Sequence, residues 1–562
     1  MKKRALSLAV VMALAGTMAA GCSSDSNKKT TTAKDDDTKK YYELTKNDKD
    51  KDITVSWCVI GGKDTYYQHY WKEMKGLQAI QDITGVKIEF QVKTGYEDYL
   101  PMFTAKNYPD VITAKNLEQY PGRLGGMYAD NVSLKLNDYM DEWMPNFSKL
   151  VKDYPDIARD LRMDDGAYTF VSAIYDTNDE DDRAAASQYG LAIRQDWLDT
   201  LGEQVPTTID EWHNVLLSFK NNDPNGDGQS NEEPVCMASS GWKYFLAAYG
   251  IDDDPVIQRD ADGNETVIYG FITDAYKQWL EEMRKWNEEG LIYNMFENTS
   301  LEKREEKVTG NLAGAWKGDA LHFDEEDSGS YISKLREVVP DAKFTPVPWP
   351  YTADGSLDED GNPKQWCFSD IASFDRDTTV ITNKAKENGT DKAAAYVIDY
   401  MLGEKGSTYL TWGIEGESYE VKNGEKKLMS GMEETVEFYD TKIPKKYTYA
   451  DPITVMLPQF GEMSSYVLAN KSEGYVEACK TWAKGDTSYK VNAACQLSVE
   501  QQKQAEQVTD GMKEYITKMR KRFIEGTAPL TEFDAYVAQV KSKGGDQFAE
   551  IWGAAYENYK KR

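Results

Sequence analysis

Histidine and cysteine are scarce in this chain, and their scarcity removes several kinds of chemistry. Only His69, His213 and His322 occur in 562 residues, far apart in sequence, which leaves little material for a histidine-rich zinc site or a Ser/His/Asp triad. Six cysteines are present and no two form a CxxC pair, so neither a metal ribbon nor a disulfide framework is expected. Apart from Cys22 they are Cys58, Cys236, Cys367, Cys479 and Cys495. Buried free thiols are the main reading and one bridge, such as Cys479 to Cys495, is the alternative. Tandem repeats are absent, which argues against an elongated adhesin. After the first 22 residues no segment is long and apolar enough to cross a bilayer. Positive charge is also short: 66 Lys and Arg stand against 95 Asp and Glu, a net charge of −29. Such a field repels phosphate backbones and anionic head groups, and no basic patch offsets it, so no nucleic-acid partner is expected.

What is present begins with an export signal. Lys2, Lys3 and Arg4 precede the small, apolar stretch Ala5 to Ala20, and Ala19-Ala20-Gly21-Cys22 ends it. The site resembles a bacterial lipobox, departing from it at Ala19, where leucine is usual. The resemblance implies a signal peptide over residues 1–21 and a mature N-terminus at Cys22 bearing a diacylglyceryl, palmitate-type lipid. Residues 22–48 mix Ser, Thr, Lys and Asp with almost no aliphatic side chain, too little apolar area to offset chain entropy, so they read as a flexible leash. The body is then expected on the extracellular face of the bacterial cytoplasmic membrane, held by its lipid alone.

From about residue 52, short β-branched runs alternate with helical patterns, the signature of α/β architecture. Strands are expected at Ile53 to Gly62, Val86 to Gly95 and Tyr108 to Lys115, with helix between the first two. Later strand-like runs include Asn311 to Ala320, Phe344 to Pro350 and Asp377 to Lys386; beyond Lys386 the pattern is predominantly helical. Three runs, YGLAIRQDWLDTLGEQVPTTIDEW (Tyr189 to Trp212), TWGIEGESYE (Thr411 to Glu420) and FIEGTAPLTEFDAYVAQVKSKGG (Phe523 to Gly545), resemble those of extracellular solute-binding lipoproteins of ABC importers, carbohydrate-type family 1. In this order behind a lipobox they cover essentially the whole body. The resemblance implies a periplasmic-binding-protein-like α/β fold of two lobes joined by a hinge, closing on an oligosaccharide and delivering it to the transmembrane subunits of a permease. The lobes are expected at 49–178 with 340–388 and at 179–339 with 389–562, in a monomer without enzymatic activity.

The most specific chemical motif is DPNGDGQSNEE, Asp223 to Glu233. Asp223, Asn225 and Asp227 place oxygen side chains at alternate positions, Gly226 and Gly228 permit tight turns, and Gln229 offers its carbonyl, with Asn231 and Glu232 completing a shell of hard oxygens for Ca2+. An EF-hand carries Glu at position twelve, where this chain has Pro234. The closing carboxylate is then Glu232, as in the calcium loop of relatives resembling alginate-oligosaccharide binders. A helix is expected before the loop, after Pro206-Thr207-Thr208, with Ile209, Trp212, Val215, Leu216 and Phe219 on one face. A strand rather than a second helix should follow, which suits a structural ion.

An excess of Trp (14) and Tyr (36) over Phe (17) suits polar, ring-shaped ligands, whose flat C–H faces stack on aromatic rings. Candidate ligand-binding residues are those expected near strand ends or in irregular stretches: Lys63, Trp242, Trp316, Lys317, Asp319, Trp366 and Trp412. Trp316 is the first bulky residue after Leu312-Ala313-Gly314-Ala315, so it is expected to stack on a sugar ring with Lys317 and Asp319 serving hydroxyls. For each tryptophan a core position is the competing reading, and Glu415 and Tyr419 serve equally to order their own loop. Two other functions stay open: a binder of a peptide or other small polar solute, and an extracellular glycoside-active enzyme, which needs two carboxylates at a defined separation. The identity, linkage and length of the sugar depend on side chains converging from distant segments.

Overall fold

The computed structural model describes residues 53–60, 71, 73–93, 99–115, 117, 120–237, 241–260, 262–292, 300–353, 355, 361–368, 373–374, 377–438, 441–450 and 457–562. Cys22 with its tether, and Lys63, lie outside the described residues. The chain divides after Lys49, and everything described belongs to the unit Asp50–Arg562.

In chain order, the strands that organise this unit are β1 (Ile53–Ile60), β2 (Val86–Lys93), β3 (Val111–Lys115), β4 (Tyr189–Arg194), β5 (Glu233–Cys236), β6 (Ala313–Asp319), β7 (Phe344–Val347) and β8 (Asp377–Ile381). They form two four-stranded sheets, in the orders β8-β3-β1-β2 and β7-β4-β6-β5. The helices used below are α1 (Lys75–Thr84), α2 (Pro155–Leu161), α3 (Ile209–Asn221), α4 (Trp242–Ala247), α5 (Leu301–Thr309), α6 (Asp391–Leu402), α7 (Glu404–Thr411), α8 (Glu473–Trp482), α9 (Val499–Ile524) and α10 (Gly545–Tyr559).

In the first sheet β1 pairs in parallel with β2 and β3, while β8 closes the far edge antiparallel to β3. Parallel neighbours need a crossover, and α1 supplies it between β1 and β2. It ends at Gly85 in the left-handed conformation, φ 67°, which leaves the helix without a Cβ penalty. Strand β2 alternates buried and open positions along VKIEFQVK, as an edge strand with one covered face does. In the second sheet β6 is flanked by β4, antiparallel, and β5, parallel. Both of its faces are covered. Leu191, Ile193, Val235 and Ala315 face a core shared with Trp197, Trp212 and Phe219, whereas Ala192, Cys236 and Trp316 face Phe323, Cys479 and Trp482. The five described cysteines are all buried, and no disulfide forms among the described residues.

Between the two sheets the chain crosses three times, and the crossings lie side by side. Ala173–Ile174 pairs in parallel with Gln459–Phe460, Ile174 bridges Phe374 antiparallel, and the Tyr175 N–H donates to the Ser373 carbonyl at 2.8 Å. Two lobes joined by three adjacent strands form the expected α/β architecture with a hinge.

The expected partition of the chain needs two corrections. Strand β7 pairs with β4 in the second sheet, so the return to the first lobe falls after Val347 and not at residue 340. Helices α6 and α7 pack on α1, and α6 also lies against β1 and β8, so the first lobe regains the segment after 389. Only beyond Phe460 do α8 and α9 rejoin the second lobe, against β7 and the helix Asp274–Glu288. The helical pattern after Lys386 is also broken by two short hairpins, Tyr419–Lys422 with Glu425–Leu428 and Thr435–Phe438 with Thr441–Pro444.

Candidate functional site

The acidic loop is delivered by the expected helix. Thr208 and Glu211 form a reciprocal capping box at the start of α3, and Ile209, Trp212, Val215, Leu216 and Phe219 are its buried face. After Asn221 the chain turns through Asp223 (φ 46°), Gly226 (φ 70°) and Gly228 (φ 77°), then enters β5. Asp223 accepts from the N–H groups of Asp227 (3.2 Å) and Gly228 (3.0 Å), and Asn225 Oδ1 also accepts from the Asp227 N–H at 3.0 Å. Asp227 accepts from the Gln229 N–H at 2.7 Å and from Asn231 Nδ2 at 2.9 Å. The result is three carboxylates, of Asp223, Asp227 and Glu232, each with an oxygen within 4.8 Å of the others. Glu232 Oε1 is buried and has no hydrogen-bond partner. Burial, and then the neighbouring Asp223 and Asp227, pushes its carboxyl above the ordinary range. An orphaned carboxylate oxygen facing two like charges is what a hard dication would satisfy, so the residues present fit calcium.

The second candidate region is the end of the second sheet where β5 and β6 finish and β4 begins. Trp316 is corrected here: its ring has no exposed surface, meets Phe344 edge-on at 4.7 Å, and its Nε1 donates to His322 Nδ1 at 3.2 Å. The reason is that β6 is a central strand covered on both faces and Trp316 lies in its middle, so the ring is sealed within the core. Trp412 is likewise buried, with Nε1 donating to Glu462 at 2.9 Å and its ring among Tyr419 and Tyr466. Trp242, the first residue of α4, is buried between the Arg520 guanidinium, 3.7 Å from the ring centroid, and Trp279. A stacking role does not suit any of these three. Trp366 is half-buried, beside Tyr489 at 5.3 Å and over Gly250.

Lys317 and Asp319 do come together at this end. Lys317 Nζ lies 5.7 Å from the ring centroid of Tyr189 and 6.0 Å from that of Tyr244. Burial first, then Arg304 and Lys243, lowers its pKa, with Asp319 working in the opposite sense. Asp319 caps the turn Ala320–Phe323 by accepting from the Leu321 N–H at 3.0 Å, and burial raises its carboxyl. Behind them is Arg304 of α5, 6% exposed. It donates to the Lys317 carbonyl at 3.1 Å and to Tyr331 Oη at 3.4 Å, and stands 3.5 Å from His322 Nε2. His322 is held well below its ordinary pKa by burial and by these two cations. Sequence reasoning missed Tyr189 and Arg304. Tyr189 is 49% exposed and opens the run that carried the family resemblance, a usable signal; Arg304 sits in a charged helical run, KREEK, that gives none.

No family model matches the chain. Among curated proteins, the polygalacturonan/rhamnogalacturonan-binding protein YtcQ of Bacillus subtilis is 21% identical over 100% of this chain and 99% of its own length. The fructooligosaccharide ABC transporter substrate-binding protein FusA of Streptococcus pneumoniae is 29% identical over 38% of this chain and 41% of FusA. Lipoprotein LipO of Bacillus subtilis is 24% identical over 42% of this chain and 44% of LipO. Among solved structures, FusA with kestose superposes with a TM-score of 0.65 at 20% identity over 90% of this chain and 99% of that one. A human-milk-oligosaccharide-binding (HMO) protein of Bifidobacterium longum infantis gives 0.69 at 18% identity, with coverages of 91% and 99%. Alginate-binding AlgQ2, solved without calcium ion, gives 0.64 at 19% identity, with coverages of 90% and 98%. By name, FusA and the HMO-binding protein are substrate- or solute-binding proteins of ABC transporters, and YtcQ and AlgQ2 bind polygalacturonan/rhamnogalacturonan and alginate; these are proteins of the kind the sequence runs resemble.

Proposed function

We propose that this chain is the substrate-binding lipoprotein of an ABC importer, capturing an oligosaccharide between its two lobes and passing it to membrane permease subunits. The observation that carries the reading is the pair of sheet-centred lobes joined by three adjacent crossings, in a chain that a carbohydrate-binding relative matches over its whole length. Ligands of open α/β sheets lie outside the carboxyl ends of strands. At that end of the second lobe stand Tyr189, half exposed, with Lys317 and Asp319, an aromatic face beside polar groups as a sugar requires.

The lobes run over about 53–175 with 374–460 and about 178–347 with 463–562, and they close as hinged bodies on the solute. The protein is anchored through the Cys22 lipid on the extracellular face of the cytoplasmic membrane and works as a monomer. It binds without turnover. Lys63, in the segment after β1, and Trp366 remain candidates for solute contact. Calcium, held by Asp223, Asn225, Asp227, Asn231, Glu232 and the Gln229 carbonyl, supplies a fixed positive charge that holds the loop between α3 and β5 in one shape. An EF-hand variant of FusA and a calcium-free form of AlgQ2 among the fold neighbours are in keeping with that role.

The test is a thermal-shift screen of the purified protein against oligosaccharides, with the sugars recovered and sized afterwards. Saturable stabilisation with intact sugar supports the reading. Stabilisation by peptides alone moves the solute class, and shortened products restore the glycoside-active enzyme.

A further inference from the structure

We infer that the solute received at the end of β6 carries carboxylate groups, a uronate-bearing oligosaccharide, with Lys317 as the residue that reads the charge. This inference rests on the reading of the protein as an oligosaccharide binder and narrows it. Lys317 is partly buried, and among the described residues no ion pair within 4 Å or hydrogen bond of its ammonium is seen; around it are the rings of Tyr189 and Tyr244 and the charges of Arg304, Asp319 and Lys243. Arg304, immediately behind, is buried and also lacks a carboxylate; its partners are a carbonyl, a hydroxyl and an imidazole. The nearby acid, Asp319, uses Oδ1 to cap its own turn. Two desolvated cations therefore face one capping carboxylate, a local excess of positive charge in a chain whose net charge is −29.

Burying a cation without a counter-charge is costly, and proteins usually supply the partner themselves. This one does so at another cluster of cations, whereas Arg520, buried, rests on the Trp242 ring instead of a carboxylate. A cavity of about 460 Å³ near α2 and α10 is lined by Arg159, Arg259, Lys490 and Lys560, and these pair with Asp156, Glu265, Asp252 and Glu557 respectively. At Lys317 no such partner is provided, and the surface beside it is the half-exposed ring of Tyr189. A ring face next to an uncompensated ammonium matches a sugar that presents a C–H face and a carboxylate together, and a neutral sugar leaves the ammonium unpaired.

The experiment is calorimetric titration of the protein with trigalacturonate and trimannuronate, with their fully methyl-esterified forms and with a neutral oligosaccharide panel. Esterification keeps the ring and removes the charge. One of the acids should bind at least about tenfold more tightly than its ester, the worth of a charge-assisted contact. Lys317→Met should weaken the acid at least about tenfold more than the ester, so that the preference is lost, while melting temperature stays unchanged, and Lys317→Arg should restore it. If acid and ester bind alike, if neutral sugars bind and both acids do not, or if Lys317→Met keeps the preference, the inference is overturned while the oligosaccharide reading stands. If neither acidic nor neutral sugars bind, the reading itself falls and the inference with it.

Discussion

At Trp316 the indole is fixed by the His322 Nδ1 acceptor and by the edge of Phe344, so its contribution is to packing. Truncating a buried tryptophan removes its transfer energy and leaves a cavity, about 3 to 5 kcal/mol. Trp316→Ala should therefore lower unfolding free energy by that order in denaturant titration; lost solute affinity at full stability would show instead that the ring reaches the crevice. Glu232 gives a second prediction. Its carboxyl is raised above the ordinary value, so without metal the folded state holds a proton that the unfolded chain releases, and stability falls as pH rises through that interval. Calcium requires the ionised form, so its stabilisation grows over the same interval. Melting temperature against pH should thus fall in chelator and hold or rise in calcium, and Asp227→Ala should behave like chelated wild type at neutral pH. Coincident curves with and without calcium contradict the assignment. The acidic loop, with its clustered carboxylates, was legible because its oxygen side chains are contiguous in sequence. The tryptophans were not, because whether such a side chain is open depends on elements that arrive from elsewhere: Trp316 lies mid-strand, and of the residues that cover it Phe323 follows by a few residues but Trp482 comes from α8, far along the chain.

Among the elements, β4 and β6 meet at the facing glycines Gly190 and Gly318, and Trp482 lies directly over them. A Cβ at Gly190 would stand 2.2 Å from Trp482 Nε1, so one face of the sheet is open enough for the indole only because both residues lack a side chain. Gly190→Ala forces that ring away and should cost about 1 to 3 kcal/mol, the usual penalty of overpacking. An unchanged melting temperature would mean that α8 does not lie on this sheet as described. The strands β1, β2 and β3 and the helix α3 were readable from β-branched runs, apolar periodicity and the Thr208 cap, all local signals. The assignment of α6 and α7 to the first lobe was not. Asp391–Leu402 is buried along most of its length, AAAYVIDYML, and a helix that is apolar all round says only that it is covered, not by which lobe.

For the whole molecule, three crossings through Ile174, Phe374 and Phe460 confine relative movement of the lobes to a hinge. A solute held between them should therefore shrink the radius of gyration in small-angle scattering, and a tight ligand that leaves the profile unchanged would indicate a rigid cleft. The order of the sheets, one built from 53–115 and 377–381 and the other from 189–347, follows from long-range pairing that no local pattern encodes; the family resemblance made two lobes legible, but the boundaries moved once β7 paired with β4. The central claim, that these lobes hold an oligosaccharide without altering it, is tested most directly by melting the protein against an oligosaccharide panel and sizing the recovered sugar. At a hundred times its dissociation constant the cognate sugar should stabilise the fold by about 2.7 kcal/mol and be recovered intact; a panel that leaves the melting temperature unmoved, or a sugar recovered in fragments, contradicts it.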